Sequence, residues 1–187
     1  MQIGVDEVGR GSLAGPLVIG AVSLSSQIQG LKDSKLLTRL RRESLAKEVY
    51  FKSEYCSLGW VWPHEIDDLG LTKATRLAIL RALSSVKEAN YEVIIDGKYD
   101  FLGSKYNVKT IVKADNLIPS VSAASIIAKV ARDNYMRSID KYFSGYDFKS
   151  HVGYGTAKHL AAIKQNGPCV LHRMSFRPVN EKTLNFT

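Results

Sequence analysis

The chain opens with two apolar, β-branched runs held apart by a glycine-dense stretch, and strand-like and helix-like segments alternate after them. That order limits the available folds more than any other feature. Gln2–Val8 reads as a strand. Leu17–Leu24 reads as a second, separated from the first by Gly9, Gly11, Gly15 and Pro16. Glu54–Trp62 reads as a third, and the short runs Glu92–Asp96 and Val108–Val112 suit buried strands. Helices are predicted over Arg39–Phe51 behind Thr38 as N-cap, and from an N-cap at Thr72 to about Ala89. A long helix runs from a cap at Ser120 or Ser122 to about Phe143, with Ala123, Ala124 and Ala128 small enough to lie close on a sheet. A last helix, Thr156–Asn166, is stopped by Gly167 and Pro168. Early hairpin-like strands followed by strand–helix alternation predict an α/β domain with a mixed central sheet flanked by helices. With no repeat, low-complexity tract or linker, one domain over residues 1–187 is expected.

The chemistry concentrates in carboxylates at strand ends. Asp6 and Glu7 end the first strand, just before the glycine-rich turn; Asp96 ends the fourth and is followed by Gly97; Asp115 follows the fifth. Acids are depleted in strands, and burying one without a partner is costly. One such acid alone is better read as a cap or turn residue. Several in one small α/β domain are expected to meet at one sheet edge, where their mutual repulsion calls for a cation. Hard oxygen ligands select Mg2+ or Mn2+. Successive strand residues point to opposite faces, so Asp6 and Glu7 can share a pocket only if the strand is irregular at Glu7; that irregularity is expected.

Charge supplies the partner. Lys and Arg number 26 against 18 Asp and Glu, a net charge of +8 and a pI near 9.5. From Lys149 onward six basic residues face one acid, Glu181; a second basic cluster is Lys32, Lys35, Arg39, Arg41 and Arg42. An acidic pocket in a basic surface suits metal-assisted phosphodiester hydrolysis of a nucleic acid. Cys56 and Cys169 make no disulfide framework, and no CxxC motif suggests zinc. His64, His151, His159 and His172 read as surface or packing residues. Trp60 and Trp62 alternate on a strand and read as core packing. The longest apolar run, Leu13–Leu24, is too short to span a bilayer, and Asp6, Glu7 and Arg10 argue against a secretory signal. A cytoplasmic protein with no membrane contact is expected.

The segment from Gly4 to Pro16, GVDEVGRGSLAGP, resembles the opening motif of the type 2 ribonucleases H (ribonuclease HII). The likeness continues through Leu31–Leu36 (LKDSKL), Ile95-Asp96-Gly97, Val112–Asp115 (VKAD), Ser122–Asp133, Gly153–Thr156 (GYGT) and His172–Phe176 (HRMSF), in family order over most of the chain. It implies a ribonuclease H-like fold with a helical substrate-binding region from about residue 145 to 187. It also implies endonucleolytic cleavage of RNA in RNA–DNA hybrids and 5′ of single ribonucleotides in duplex DNA, leaving 3′-hydroxyl and 5′-phosphate ends. By the same resemblance Asp6, Glu7, Asp96 and Asp115 are the catalytic metal ligands, with two ions present when substrate is bound. Gly9-Arg10-Gly11 is the substrate-reading turn, whose glycines let the backbone approach a 2′-hydroxyl. Tyr154 packs against the sugar on the DNA side of the junction. Lys35, Lys113, Lys129, Arg173 and Ser175 suit phosphate contacts. Asp133 reads as an ion-pair residue beside Arg132.

A type 3 ribonuclease H, the nearest alternative, carries an added N-terminal domain for which Asp6 lies too near Met1, and a different first motif. A silent hybrid-binding module fits poorly with acids at all four positions. A monomer is expected. Family members can engage the replication clamp through their tails, but Leu184 and Phe186 alone are too few apolar anchors to assign that here.

Overall fold

A computed structural model of the chain describes residues 2–31, 34, 37–86 and 91–180. Five strands form one mixed sheet: β1 (Gln2–Val8), β2 (Leu17–Leu24), β3 (Ser53–Val61), β4 (Glu92–Asp96) and β5 (Asn107–Ile111), in the order β3-β2-β1-β4-β5. β2 runs antiparallel to both β1 and β3, and β4 runs parallel to both β1 and β5. The first three strands are joined by turn and helix as the hairpin pattern anticipates, and β4 and β5 enter by crossover.

Two helical layers cover the sheet. α4 (Pro119–Ile139) lies over β1 and β2 on one face. Its approach depends on missing side chains: a Cβ on Gly4 would fall 2.3 Å from the Ser120 carbonyl carbon, and one on Gly20 would fall 2.3 Å from the Ala124 oxygen. α1 (Arg39–Lys52) packs Leu45, Ala46 and Val49 against Ile126 and Ile127 of α4. On the other face, α2 (Pro63–Leu69) and α3 (Leu71–Ala82) bury Ile66, Ala74, Ala78 and Ile79 against Ile3, Val5, Leu17 and Ile19. The odd residues of β1 therefore face α2 and α3, and the even ones face α4.

A third cluster lies beyond the sheet. α5 (Phe148–His151) and α6 (Ala157–Asn166) pack with Ala14, Met136 and Leu171 around Phe148. Among the described residues no helix is long and apolar enough to cross a membrane.

Several boundaries differ from the sequence reading for local reasons. α4 starts at Pro119 behind Ile118, and neither Ser120 nor Ser122 caps it; Ser122 Oγ instead donates back to the Ile118 and Asp115 carbonyls. α3 starts at Leu71 behind Gly70, not Thr72, and ends at Ala82. Part of the predicted extension to Ala89 lies outside the described residues. α2 is unanticipated: Pro63 sits in its first turn, directly after the predicted strand, and Glu65 accepts from the Trp62 amide at 2.9 Å. Thr38 and Thr156 do cap α1 and α6, and Gly167 ends α6 at φ 72°. Trp60 and Trp62 stack at 5.9 Å, with the Tyr135 ring edge-on to both.

Candidate active site

The parallel pairing of β1 and β4 creates the site. Val5 is in register with Ile95, so Asp6 and Asp96, one residue further along each strand, come side by side at the carboxyl ends of neighbouring strands. Partners in a parallel register share a face, and adjacent strands lie ~4.8 Å apart. Both acids are on the α4 side. Open α/β sheets bind their ligands at this end.

Each carboxylate is held by what surrounds it. Asp6 is buried; it accepts from Ser125 of α4 and, at 2.8 Å, from the Glu7 amide. The Ser125 hydroxyl in turn shares a hydrogen bond with that of Ser34 at 3.0 Å. Asp96 Oδ1 accepts from the Ala114 amide at 2.7 Å. That amide opens the single 3₁₀ turn Ala114–Asn116, which carries the buried Asp115, and Asp115 Oδ1 accepts from Asn116 Nδ2 at 3.0 Å. Glu7 is half-buried, with Arg10 Nη1 3.5 Å from its Oε1.

β1 is not irregular at Glu7, contrary to the sequence expectation: pairing with β2 continues through Glu7–Ile19 to Val8–Val18. Asp6 and Glu7 therefore leave the strand on opposite faces. Both still line one cavity of about 430 Å³, which opens over the strand's end and is also lined by Gly9, Arg10, Gly11, Ser34, Ser125, Lys129 and Tyr154. Asp96 and Asp115 lie outside that lining, Asp96 beside it through its register with Asp6.

Burial pushes the Asp6 carboxyl up to about 7, and the charges of Glu7 and Asp96 push in the same direction, while bonds from Ser125 and the Glu7 amide oppose them. A desolvated carboxylate among like charges is relieved by a cation, and the donor set is all oxygen. The residues thus fit a hard divalent ion in kind. They are not closed around one: among the described residues no three His, Cys, Asp or Glu side chains are grouped to hold a metal ion. Of the four acids expected to converge, Asp6 and Glu7 line one cavity, Asp96 stands beside Asp6 by register, and Asp115 follows Ala114, whose amide Asp96 binds.

The turn that follows β1 is fixed from beneath. Gly9, at φ 89°, has no room for a side chain: a Cβ would fall 2.2 Å from Arg132 Nε. Arg132 is 0% exposed and spends its guanidinium on Pro16 O at 2.8 Å, Val152 O at 2.9 Å, Ser12 Oγ at 2.8 Å and Ala14 O at 3.0 Å. Arg173 is also 0% exposed, donating to Arg10 O at 2.9 Å and to Gly15 O at 2.9 and 3.1 Å. Burial, then the charge of Arg132, brings Arg173 down to about 9.

The phosphate contact expected of Arg173 is therefore corrected: a guanidinium sealed under the turn cannot reach a phosphate. Ser175 is exposed, and its amide and hydroxyl both donate to Asp67 on α2, at 2.9 and 2.5 Å. Lys35 lies outside the described residues. Lys113 is exposed, and Lys129 joins the cavity wall with Nζ 2.9 Å from Asp133 and 5.5 Å from the Tyr154 ring centre. Asp133 pairs with Lys129 and with Arg137 at 3.6 Å, not with its neighbour Arg132.

Sequence reasoning passed over Ser34, Ser125 and Arg132 as site residues. Their hydroxyls and guanidinium act through contacts between residues about a hundred positions apart, for which no local pattern exists.

The family model for ribonuclease HII matches residues 3–179. A curated ribonuclease HII of Nitratidesulfovibrio vulgaris is 42% identical over 188 residues, covering 94% of this chain and 86% of that protein. Among solved structures, a ribonuclease HII of Archaeoglobus fulgidus in complex with PCNA matches with a TM-score of 0.80 at 27% identity, covering 95% of each chain. A ribonuclease H2 of Pyrococcus horikoshii matches with a TM-score of 0.79 at 28% identity, over 96% of this chain and 95% of that one.

Proposed function

The chain belongs to the ribonuclease HII family of hydrolytic nucleases, and from that premise we propose that it incises duplex DNA 5′ of an embedded ribonucleotide as well as the RNA of longer hybrids, leaving 3′-hydroxyl and 5′-phosphate ends. The observation that carries this reading is the register pair Asp6–Asp96, with Asp6 in the wall of a cavity that Gly9–Gly11 and Tyr154 also line. Divalent ions, Mg2+ or Mn2+ and two with substrate bound, would supply positive charge at the scissile phosphate. Asp6 and Asp96 would hold them, with Glu7 and Asp115 completing the set.

Arg10, 3.5 Å from Glu7 Oε1 and itself in the cavity wall, supplies a cation for a substrate phosphate. The backbone of Gly9–Gly11 offers amide and carbonyl groups to a 2′-hydroxyl, in a turn that Arg132 and Arg173 keep rigid. The Tyr154 ring fills the space beside the next deoxyribose. The helical region from about residue 145 and the basic Lys129 side of the cavity carry the duplex by sequence-blind phosphate contacts.

The protein is read as a cytoplasmic monomer. A clamp contact is left unassigned: the Archaeoglobus neighbour is in complex with PCNA, and the 182–187 tail lies outside the described residues.

Asp96→Asn tests the assignment on a duplex with one embedded ribonucleotide. Nicking with added Mg2+ should be abolished and binding spared, because the exchange takes charge from the ion site and leaves the basic surface intact. Normal turnover by that variant would overturn the site.

A further inference from the structure

We propose that His172, acting through His159, is a positioning residue that fixes the backbone of Tyr154 and thereby the preference for an RNA–DNA junction. This rests on the junction-reading role given to Tyr154 above. Histidines 151, 159 and 172 are 7%, 0% and 1% exposed, gathered around Phe148, and none enters the hydrolytic chemistry.

One set of ring protons satisfies the short hydrogen bonds together, although His172 Nδ1 also lies 3.3 Å from the Cys169 carbonyl and 3.2 Å from its Sγ. The Cys169 amide donates to His172 Nδ1 at 2.9 Å, so Nδ1 is bare and the proton of the neutral ring is on Nε2. His172 Nε2 lies 3.1 Å from His159 Nε2 and donates to it. His159 therefore carries its proton on Nδ1, which donates to the Tyr154 carbonyl at 2.9 Å. Which nitrogen of a histidine is protonated follows from the bond made by the other. Here that rule runs through two rings and ends on the backbone of the junction-facing residue.

The neighbouring contacts make the relay a positioning device. The Gly153 amide donates to His151 Nδ1 at 3.2 Å, and the His151 ring stacks on His159 with centres 4.3 Å apart. The Gly153 carbonyl accepts from Leu13 at 2.9 Å and Ala14 at 3.2 Å, on the same loop that carries Gly9–Gly11. Residues 153 and 154 are thus clamped between the histidines and the substrate-reading turn. The Tyr154 ring is set from its other side by Arg132, 5.4 Å from the ring centre. Without the His172 donor, His159 can take the opposite tautomer and turn a lone pair on the Tyr154 carbonyl, which shifts Tyr154 without touching Asp6 or Asp96.

The test reads the free protein and the reaction separately. Long-range 1H–15N spectra of the wild-type protein at neutral pH should show His159 protonated on Nδ1. The ratio of kcat/KM on a single-ribonucleotide duplex to that on a long hybrid should fall about tenfold in His172→Phe, with kcat on the long hybrid held within about twofold. His172→Gln, which keeps a donor in the Nε2 position, should restore the ratio.

Should His172→Phe not fold, His159→Asn, which keeps a donor facing the Tyr154 carbonyl, should hold the ratio, and His159→Leu should lose it. An Nε2-protonated His159 in the wild type overturns the relay. So does an unchanged ratio in His172→Phe, or an equal loss on both substrates. If instead the wild type fails to cut at a single ribonucleotide, the junction reading itself fails, and the tautomer spectra still decide the relay.

Discussion

Tyr154 shows how much one side chain is asked to do. The Lys129 and Arg132 cations lie 5.5 and 5.4 Å from its ring centre, and its carbonyl is taken by Thr156 at 2.8 Å and by His159. If the ring fills the space beside the deoxyribose, Tyr154→Ala removes a contact that a long hybrid never makes. The expected loss is ~1–3 kcal/mol, roughly 5- to 150-fold in kcat/KM, on the single-ribonucleotide duplex, with a smaller loss on the long hybrid. Steady-state rates on the two substrates measure it; an unchanged ratio would leave the tyrosine a packing residue.

At the scale of the element, α4 and the sheet are one construction. Gly20 is in register with Asp6, and its missing side chain lets Ala124 lie on the strand so that Ser125, one residue on, reaches the carboxylate. Gly20→Ala puts a methyl group 2.3 Å from the Ala124 oxygen, and the helix must move. The expected cost is ~1–3 kcal/mol of stability, with a fall in nicking as the Ser125 bond to Asp6 is lost. Urea denaturation and the nicking assay check both parts. A milder effect is expected at α6, where Thr156 accepts from the His159 amide at 3.3 Å. Thr156→Ala should cost about 1 kcal/mol by the same denaturation measurement.

The whole molecule joins a central sheet to a C-terminal cluster through buried charge and neutral histidines. Burial first, and neighbouring histidines after it, lower His159 and His172 to about 4. Their rings also face Phe148, Tyr146 and Cys169, none of which supplies an anion at acid pH. An unfolded histidine titrates near 6.5, so between about 6.5 and 4 the unfolded chain binds more protons than the folded one. The contribution is fully present above about 6.5 and is lost as pH falls toward 4, by at most about 3 kcal/mol per ring. Urea midpoints across this window should drop with pH, and less steeply in His172→Gln. Salt acts on a different property. With a net charge of +8, binding of both substrates should weaken with parallel slopes against log salt, since phosphate contacts do not distinguish them.

Local chemistry determined much of this protein from sequence alone. Apolar, β-branched runs marked the strands, Thr38, Thr156 and Gly167 marked helix ends, and each acid stood visibly at or just after the end of an apolar run. Such signals are short-range, so they survive without knowledge of the fold. They failed where a neighbour outside the window decides: α2 follows the third strand unannounced, Ser122 turns back to carbonyls instead of capping, and β1 stays regular through Glu7. Only the tertiary structure put Asp6 beside Asp96, because that depends on parallel register across some ninety residues. Only it buried Arg173 under the turn where an exposed phosphate contact was expected, and drew His151, His159 and His172 together. Basic and imidazole side chains look alike in sequence whether they face solvent or carbonyls; burial and hydrogen-bond partners, which are properties of the packed chain, decide which they do.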